Sequence, residues 1–251
     1  MKFKVVIPAR LGSTRLPRKV LREIAGKPLV QHVWNAARAS GADEVIVATD
    51  DAEVLAACKV FGADARMTSV AHQSGTDRAN EIARAAGWSA DTLVVNLQGD
   101  EPLMPPALIG QAARLLAEDA GADIATLCHP IHELEEWLNP NVVKCVLDAR
   151  AYALYFSRAP IPWQRDGATR EAPKLPAKLA YRHIGLYAYR VRALQEFSAL
   201  PPALLEQCEA LEQLRALHAG LRIKLAVVQM PPPRGVDTEE DLLAVAKLLR
   251  G

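Results

Sequence analysis

Residues 4–19 read KVVIPARLGSTRLPRK, and this stretch decides the fold. An apolar, β-branched run ends at Pro8, which predicts a short buried strand. The loop behind it has Gly12, Ser13 and Thr14 for a tight turn and the cations Arg10, Arg15 and Lys19. The glycine spacing of a P-loop or a dinucleotide turn is absent. Free amides and forked cations after a first strand nevertheless indicate an anion site.

Positive charge is concentrated at this end of the chain. Residues 1–27 carry eight Lys or Arg against Glu23 alone, whereas the whole 251-residue chain has 30 Lys and Arg, 29 Asp and Glu, and a net charge of +1. Taken singly, each of these cations would by default be interpreted as an ordinary solvated surface base, and only the cluster after the first strand indicates a site. A near-neutral total argues against a protein that coats nucleic acid or an anionic membrane, and predicts small molecules or other proteins as partners.

Strand and helix patterns alternate through the first half of the chain. Short apolar runs at 4–8, 44–49 and 92–97 predict strands, and amphipathic or acid-led segments at 28–40 and 51–61 predict helices. Such alternation is typical of a parallel sheet with helices on both faces. The predicted fold class is therefore α/β, a doubly wound and mostly parallel sheet.

The pattern changes between residues 124 and 193. Strand-like runs at 124–127, 142–147, 152–157 and 183–189 are separated by loops, which predicts a mixed or antiparallel sheet inserted into a single domain spanning 1–251. A helix over 204–219, a strand over 223–228 and a last helix over 238–249 complete the prediction.

Four scattered cysteines without a CxxC pair predict neither a disulfide framework nor a four-thiolate zinc site, which fits a cytoplasmic protein. Cys128, His129 and His132 offer soft ligands, but Pro130 prevents the helix that would align them. No stretch approaches the roughly 20 apolar residues of a membrane span, and the apolar start is too short for a signal peptide.

Two carboxylates follow predicted strands. Asp100 comes after residues 92–97 and Gly99, where it could hold Mg²⁺ against phosphate oxygens. The alternative is that Asp100 and Glu101 only cap the helix after Pro105. Asp237 follows the last predicted strand, but its spacing to Glu240 also fits a capping box. Sequence spacing leaves open whether the two aspartates meet.

Eight segments together carry a family resemblance: residues 8–19 in the pattern PARxxSxRLPxK, 46–50 (IVATD), 72–78 (HQSGTDR), 96–102 (NLQGDEP), 155–158 (YFSR), 182–185 (RHIG), 211–215 (LEQLR) and 235–238 (GVDT). In this order the chain resembles the 3-deoxy-manno-octulosonate (Kdo) cytidylyltransferases, the CMP-Kdo synthetases of lipopolysaccharide assembly. The first loop alone would indicate only a sugar nucleotidyltransferase. The resemblance covers essentially the whole chain, although Arg18 replaces a frequent glycine and residues 165–178 do not align.

The resemblance implies a nucleotidyltransferase of the nucleotide-diphospho-sugar transferase type that joins CTP and Kdo to give CMP-Kdo and pyrophosphate. It implies a homodimer built through residues 124–193, which would also bind the sugar. The implied nucleotide-binding residues are Pro8, Ala9, Arg10, Arg15, Lys19, Ser74, Gly75, Thr76, Arg78 and Gln98. Those around Kdo are Gln98, Arg158, His183, Tyr187, Glu212 and Gln213; the implied Mg²⁺ ligands are Asp100 and Asp237, which with Lys19 and Arg15 form the catalytic set.

Two other functions are compatible with the residues. A cytidylyltransferase for another acidic sugar, such as 8-amino-Kdo or a neuraminate, would keep the nucleotide half and alter contacts near Arg158 and His183. A catalytically silent nucleotide-binding protein would have little use for both Asp100 and Asp237.

Overall fold

The structure is a computed structural model that describes residues 1–12, 16–166, 168–169, 171–233 and 235–250. Its strands are β1 Lys4–Pro8, β2 Glu23–Ile24, β3 Lys27–Pro28, β4 Glu44–Thr49, β5 Asp64–Met67, β6 Leu93–Asn96, β7 Ile124–Pro130, β8 Lys144–Leu147, β9 Ala153–Ser157, β10 Tyr181–Arg190 and β11 Ile223–Val227. Its α-helices are α1 Leu29–Ala39, α2 Ala52–Val60, α3 Gly75–Ala85, α4 Pro106–Glu118, α5 Leu134–Leu138, α6 Val191–Ala199, α7 Leu204–Glu209, α8 Gln213–His218 and α9 Glu239–Arg250. A 3-10 turn spans Lys19–Leu21.

The central sheet has the strand order β11-β7-β10-β6-β1-β4-β5. Strands β5, β4, β1 and β6 run parallel, β10 lies antiparallel between β6 and β7, and β11 runs parallel to β7. The chain moves from β1 outward to β5 and then returns to the other side of β1 as β6. The strand order therefore reverses between β1 and β6, where sheets of this kind bind ligands beyond their carboxyl ends.

Alternate residues of β1 belong to different hydrophobic cores. Val5 and Ile7 pack in a core with α1, α2, α4 and α9, whereas Val6 packs in a second core with α3, α6 and α8. Successive strand side chains point to opposite faces of a sheet, so the two cores cover its two sides. The prediction of a doubly wound, mostly parallel α/β sheet is confirmed.

Strands β7 and β10 of the 124–193 region belong to the central sheet itself. The hairpin of β8 and β9 pairs with the first residues of β10, through Tyr181 and Arg182, while the second half of β10 pairs with β6. Antiparallel structure is thus added beyond the carboxyl end of β6, beside the switch point.

The predicted helix over residues 204–219 is wrong as one continuous element. It is broken into α7 and α8 at Ala210, which has φ 50° and ψ 50°. The backbone carbonyls of Glu209 and Ala210 accept hydrogen bonds from the Arg158 guanidinium instead of continuing a helix. Among the described residues, no helix is both long and apolar enough to cross a membrane.

Candidate active site

A polar cleft opens at the switch point between β1 and β6. Its described walls come from the loop after β1, the start of α3, the end of β6 and the segment before α9. The lining residues are Pro8, Arg10, Gly12, Lys19, Val20, His72, Gln73, Ser74, Gly75, Arg78, Gln98, Gly99, Asp100 and Asp237. Most predicted nucleotide residues and both predicted metal ligands therefore share one cleft.

Gly99 allows the ends of β1 and β6 to come together. A Cβ atom at this position would lie 2.5 Å from the carbonyl oxygen of Pro8, which is closer than side-chain atoms approach a backbone. Gly75 is nearly as confined, because its Cβ would lie 3.0 Å from the Pro8 ring. Because these two glycines have no side chain, the main chain itself forms this part of the cleft floor, and a ligand can approach it closely.

Lys19 joins the two aspartates that the sequence left unconnected. Its Nζ lies 2.7 Å from Oδ2 of Asp100 and 3.0 Å from Oδ1 of Asp237, although these residues are 81 and 218 positions away in the chain. Burial would lower the pKa of Lys19, but the charges and hydrogen bonds of both carboxylates outweigh it and raise that pKa. Lys19 is therefore a permanent cation between two carboxylates.

Neither Asp100 nor Asp237 caps a helix in the way that the sequence allowed. Helix α4 begins after Pro105 without a side-chain cap, so Asp100 and Glu101 do not cap it. At the start of α9, Thr238 Oγ1 accepts from the Asp241 N–H, and the Asp241 carboxylate accepts from Thr238 N–H and O–H. The capping box therefore lies one residue beyond the predicted one, and Asp237 faces Lys19.

Glu101 is a member of this acidic cluster that the sequence did not single out as a site residue. Burial raises its pKa to about 8, and the charges of Asp100 and Asp237 act in the same direction. A Cβ on Gly235 would lie 2.9 Å from Oε1 of Glu101. Val236 N–H also donates to the Asp100 carbonyl at 2.8 Å, so the segment before Asp237 is fixed against residues 100–101.

The nucleotide half of the cleft includes the N-terminus of α3. Ser74 caps the helix, since its Oγ accepts from the Asp77 N–H at 3.2 Å. Gly75 and Thr76 form the first turn, and the unpaired N–H groups of such a turn favour anions. Serine three residues before Asp77, followed by the apolar spacing of Ala79 and Ile82, was a sequence signal for this helix.

Arg78 is in the cleft wall, but its guanidinium is anchored inside the protein. It donates to Asp50 Oδ2 at 2.5 Å, to Thr68 Oγ1 at 2.8 Å and to the Ser69 carbonyl at 3.1 Å. The side chain is 3% exposed. Arg78 thus fixes the wall shared by β4 and α3, and this buried ion pair would be costly to break.

His183 and Tyr187 lie together on β10. Their ring centroids are 5.2 Å apart, and Phe156 packs edge-on against His183 at 5.0 Å. Burial lowers the pKa of His183 to about 3, so the imidazole is neutral at physiological pH. Its Nε2 lies 3.0 Å from Oγ1 of Thr126. These two rings offer an uncharged, partly buried surface with polar edges, suited to sugar hydroxyls.

Glu212 connects the predicted sugar residues with the nucleotide half. Thr76 Oγ1, at the start of α3, donates to Oε2 of Glu212 at 2.9 Å. Burial raises the pKa of Glu212, and its Oε1 has no hydrogen-bond partner among the described atoms. Gln213 beside it is also buried. An unpaired buried acceptor of this kind is suited to a hydroxyl donor.

Arg158 follows β9 and has a fixed guanidinium. Its Nε donates to the Glu209 carbonyl at 2.7 Å, and its two terminal nitrogens donate to the carbonyls of Pro140 and Ala210 at 3.1 and 3.4 Å. A guanidinium has five N–H donors, so two remain for a ligand. Ala210 lies two residues before Glu212, so the turn that accepts these hydrogen bonds from Arg158 also carries Glu212.

The remaining predicted residues lie around these groups. Gln98 is half-buried on the cleft wall, with Oε1 3.4 Å from the Cβ position of Gly75, and Arg10 is exposed at the rim. Ala9 is buried and donates its N–H to the Ala48 carbonyl. Arg15 lies outside the described residues.

Asp100 and Asp237 are the residues of the cleft that could hold a divalent cation. In the structure, the Lys19 ammonium lies between the Asp100 and Asp237 carboxylates and contacts both. Within the described part of the chain, no group of three or more His, Cys, Asp or Glu side chains forms a metal site. Proteins commonly hold Mg²⁺ through one or two carboxylates while substrate phosphates and water supply the other oxygens.

Comparison with known proteins agrees with this geometry. Residues 4–223 match the sequence profile of a family described as Cytidylyltransferase. A 3-deoxy-manno-octulosonate cytidylyltransferase of Thioalkalivibrio sulfidiphilus (strain HL-EbGR7) is 52% identical over 250 residues, covering 100% of both chains. The protein of that name from Cellvibrio japonicus (strain Ueda107) is 54% identical over 99% of this chain and 98% of its own.

A solved structure extends the likeness to three dimensions. It is described as CMP:2-keto-3-deoxy-manno-octonic acid synthetase complexed with CTP, and it is 43% identical with a TM-score of 0.89 over 100% of this chain and 99% of its own. Fold and cleft thus define a nucleotidyltransferase of the cytidylyltransferase class. Within that class, the chain belongs to the 3-deoxy-manno-octulosonate cytidylyltransferase family, as the eight sequence segments predicted.

Proposed function

We propose that this protein activates Kdo with CTP, giving CMP-Kdo and pyrophosphate. The observation that carries the proposal is the meeting of Lys19, Asp100 and Asp237 at the switch point, beside the N-terminus of α3. This arrangement suits a triphosphate, because it offers a cation, an anion-binding helix end and two potential metal ligands. Relatives named for this reaction over their full length support the choice of sugar.

The reaction is an in-line displacement at the α-phosphorus. The anomeric hydroxyl oxygen of Kdo forms a bond to that phosphorus and loses its proton to solvent, while the bond to the pyrophosphate oxygen breaks and pyrophosphate leaves. Such a transfer needs mainly positioning and charge neutralisation from the protein. Arg10, Lys19 and, by family resemblance, Arg15 would neutralise the leaving pyrophosphate. The nucleoside would be held by Ser74, Gly75 and the wall fixed by Arg78, which line the cleft, and by family resemblance also by Thr76.

Asp100 and Asp237 would hold the metal ion. Bound Mg²⁺ would supply neutralisation of phosphate oxygens and greater acidity of a sugar hydroxyl. Lys19 would then either share the two carboxylates with the metal ion or move away from one of them towards the triphosphate. Without a bound metal, both carboxylates raise the pKa of Lys19 and keep it charged.

The sugar would lie between Gln98 on one side and Arg158 on the other. The turn before α8, with Glu212 and Gln213, would complete this pocket. Arg158 has two free N–H donors for the Kdo carboxylate, and a planar fork suits that group better than an ammonium does. His183 and Tyr187 would pack against the ring. Because Thr76 bonds Glu212, the nucleoside pocket and the sugar pocket share one hydrogen-bond connection.

Pyrophosphate release tests this function against a silent nucleotide-binding protein. We expect release from CTP only when Kdo and Mg²⁺ are both present, in amounts equal to the CMP-Kdo formed. Tight CTP binding by calorimetry without any release, over a range of acidic sugars, would mean that the site binds nucleotide without catalysis.

Arg158→Lys is expected to weaken use of Kdo and to spare CTP. The substitution keeps the charge but loses the fork, which should cost about 1.5–3 kcal/mol, or roughly 10- to 150-fold in kcat/KM for Kdo. The measurements are Kdo kinetics at saturating CTP and calorimetry with CTP alone. Weakened CTP binding with normal Kdo kinetics would place Arg158 in the nucleotide half of the site.

We also infer a homodimer that uses the 124–193 region. Leu154 on β9 is 62% exposed, and Leu204 on α7 is 83% exposed. Helix α7 is bonded to β9 through Ser157 Oγ, which donates to Glu209 at 2.6 Å. Exposed apolar side chains on neighbouring elements are typical of a surface that another chain covers.

Free cysteines and a nucleotide substrate support a cytoplasmic location.

Sedimentation is expected to show a dimer at micromolar concentration. Leu154→Lys should shift the protein towards monomer, because a buried ammonium without a partner disfavours association. Val60→Lys on α2 is the matched control, since Val60 is also an exposed apolar residue and should leave the dimer intact. A wild-type monomer, or equal effects of both variants, would contradict the inference.

A further inference from the structure

Lys144 is a fully buried lysine that the reaction itself does not use. It begins β8, and its exposed fraction is 0%. Its Nζ donates to three backbone carbonyls, those of Asn139 at 2.9 Å, Val142 at 2.6 Å and Arg158 at 2.5 Å. An ammonium has three N–H donors, so these carbonyls satisfy it completely.

Glu209 holds the same segment from the opposite side. One carboxylate oxygen accepts from Ser157 Oγ at 2.6 Å, and the other accepts from the backbone N–H of Arg158 at 2.9 Å. Arg158 is therefore bonded at its N–H by Glu209, at its carbonyl by Lys144 and at its guanidinium by three further carbonyls. Every backbone polar group of this residue has a charged partner.

The two cations also share one turn. The carbonyls of Asn139 and Val142 bond Lys144, and the carbonyl of Pro140 between them bonds Arg158. Burial lowers the pKa of Lys144 to about 8, and the charge of Arg158 acts in the same direction. Removing Lys144 would release this turn from the β9 end, and with it one anchor of the Arg158 guanidinium.

We propose that Lys144 and Glu209 are positioning residues that clamp Arg158, fixing its two free N–H donors for the carboxylate of the sugar substrate. The proposal rests on the proposed function, because it takes Arg158 as the carboxylate-binding residue. Neither Lys144 nor Glu209 needs to touch the substrate. A fork held by neighbouring hydrogen bonds binds a carboxylate with less loss of freedom.

The test compares Lys144→Met and Glu209→Ala with wild type. Each variant should raise KM for Kdo roughly tenfold while CTP affinity by calorimetry stays within about twofold. Lys59→Met and Glu196→Ala, at exposed positions on α2 and α6, are matched controls and should leave both constants unchanged. If Lys144→Met does not fold, Glu209→Ala decides, since Glu209 is only half-buried.

Combination with Arg158→Ala separates positioning from a general loss of structure. In that background, Glu209→Ala and Lys144→Met should cause no further rise in KM for Kdo, because the group they position is gone. A further tenfold rise, or an equal loss of CTP affinity, would overturn the clamp. Unchanged Kdo kinetics in a folded single variant would overturn the role of that residue. If Arg158→Ala itself leaves KM for Kdo unchanged, it is the proposed sugar contact that fails.

Discussion

Replacing Asp100 or Asp237 with asparagine is expected to lower kcat by roughly two to three orders of magnitude. Asparagine keeps the size and an oxygen but removes the charge that would hold Mg²⁺. Each aspartate also loses its ion pair with Lys19, which lies 2.7 Å from one and 3.0 Å from the other. The fold should survive, because both side chains are partly exposed in the cleft.

The measurement is pyrophosphate release over a Mg²⁺ titration, with thermal unfolding of each variant alongside. Asp91→Asn is a suitable control, since Asp91 is an exposed aspartate just before β6, at the opposite end of the strand from Asp100. Near-normal kcat in both site variants at saturating Mg²⁺ would remove them as metal ligands.

Lys19→Met is expected to be the next most damaging change. It removes the cation that the cleft directs at the triphosphate, so kcat/KM for CTP should fall roughly a hundredfold or more. Without the ammonium, Asp100, Asp237 and Glu101 also repel one another. The apo protein should therefore lose stability as pH rises and Glu101, whose pKa is raised to about 8, ionises, and Mg²⁺ should restore part of that loss.

Steady-state kinetics and melting curves between pH 5 and 8 check this prediction. Lys27→Met, at an exposed position in β3, removes a lysine outside the cleft and should change neither quantity. Normal kcat/KM for CTP in Lys19→Met would contradict a role of Lys19 in binding the triphosphate.

The central strands were predictable because burial fixes their residue types. Lys4–Pro8 and Glu44–Thr49 agree with the predicted strands residue for residue, since each is an apolar run buried from both sides. The break at Ala210 was not predictable. It depends on Arg158, 52 residues earlier, whose guanidinium takes the carbonyls where a helix would continue. Local spacing carries no information on such a contact.

The same limit applies to the site. Sequence spacing left Asp237 with two interpretations, as a metal ligand or as a helix cap, and favoured the cap when the segment was considered alone. The structure excludes the predicted cap, because Thr238 and Asp241 form the cap instead. It brings Asp237 to the cleft because Gly235 and Val236 pack on residues 100–101. Glu101 and Lys144 were missed for a related reason. Their unusual protonation energetics arise from burial and from neighbours distant in sequence, which only the folded chain brings together.

The most direct test of the account is the specificity constant for the acidic sugar at saturating CTP and Mg²⁺. Pyrophosphate release would be measured with Kdo, 8-amino-Kdo and a neuraminate, and the sugar nucleotide formed would be identified by mass. We expect CMP-Kdo in equal amount to pyrophosphate, with kcat/KM for Kdo at least tenfold above that for either other sugar. A higher kcat/KM for 8-amino-Kdo or for the neuraminate would contradict the proposed substrate.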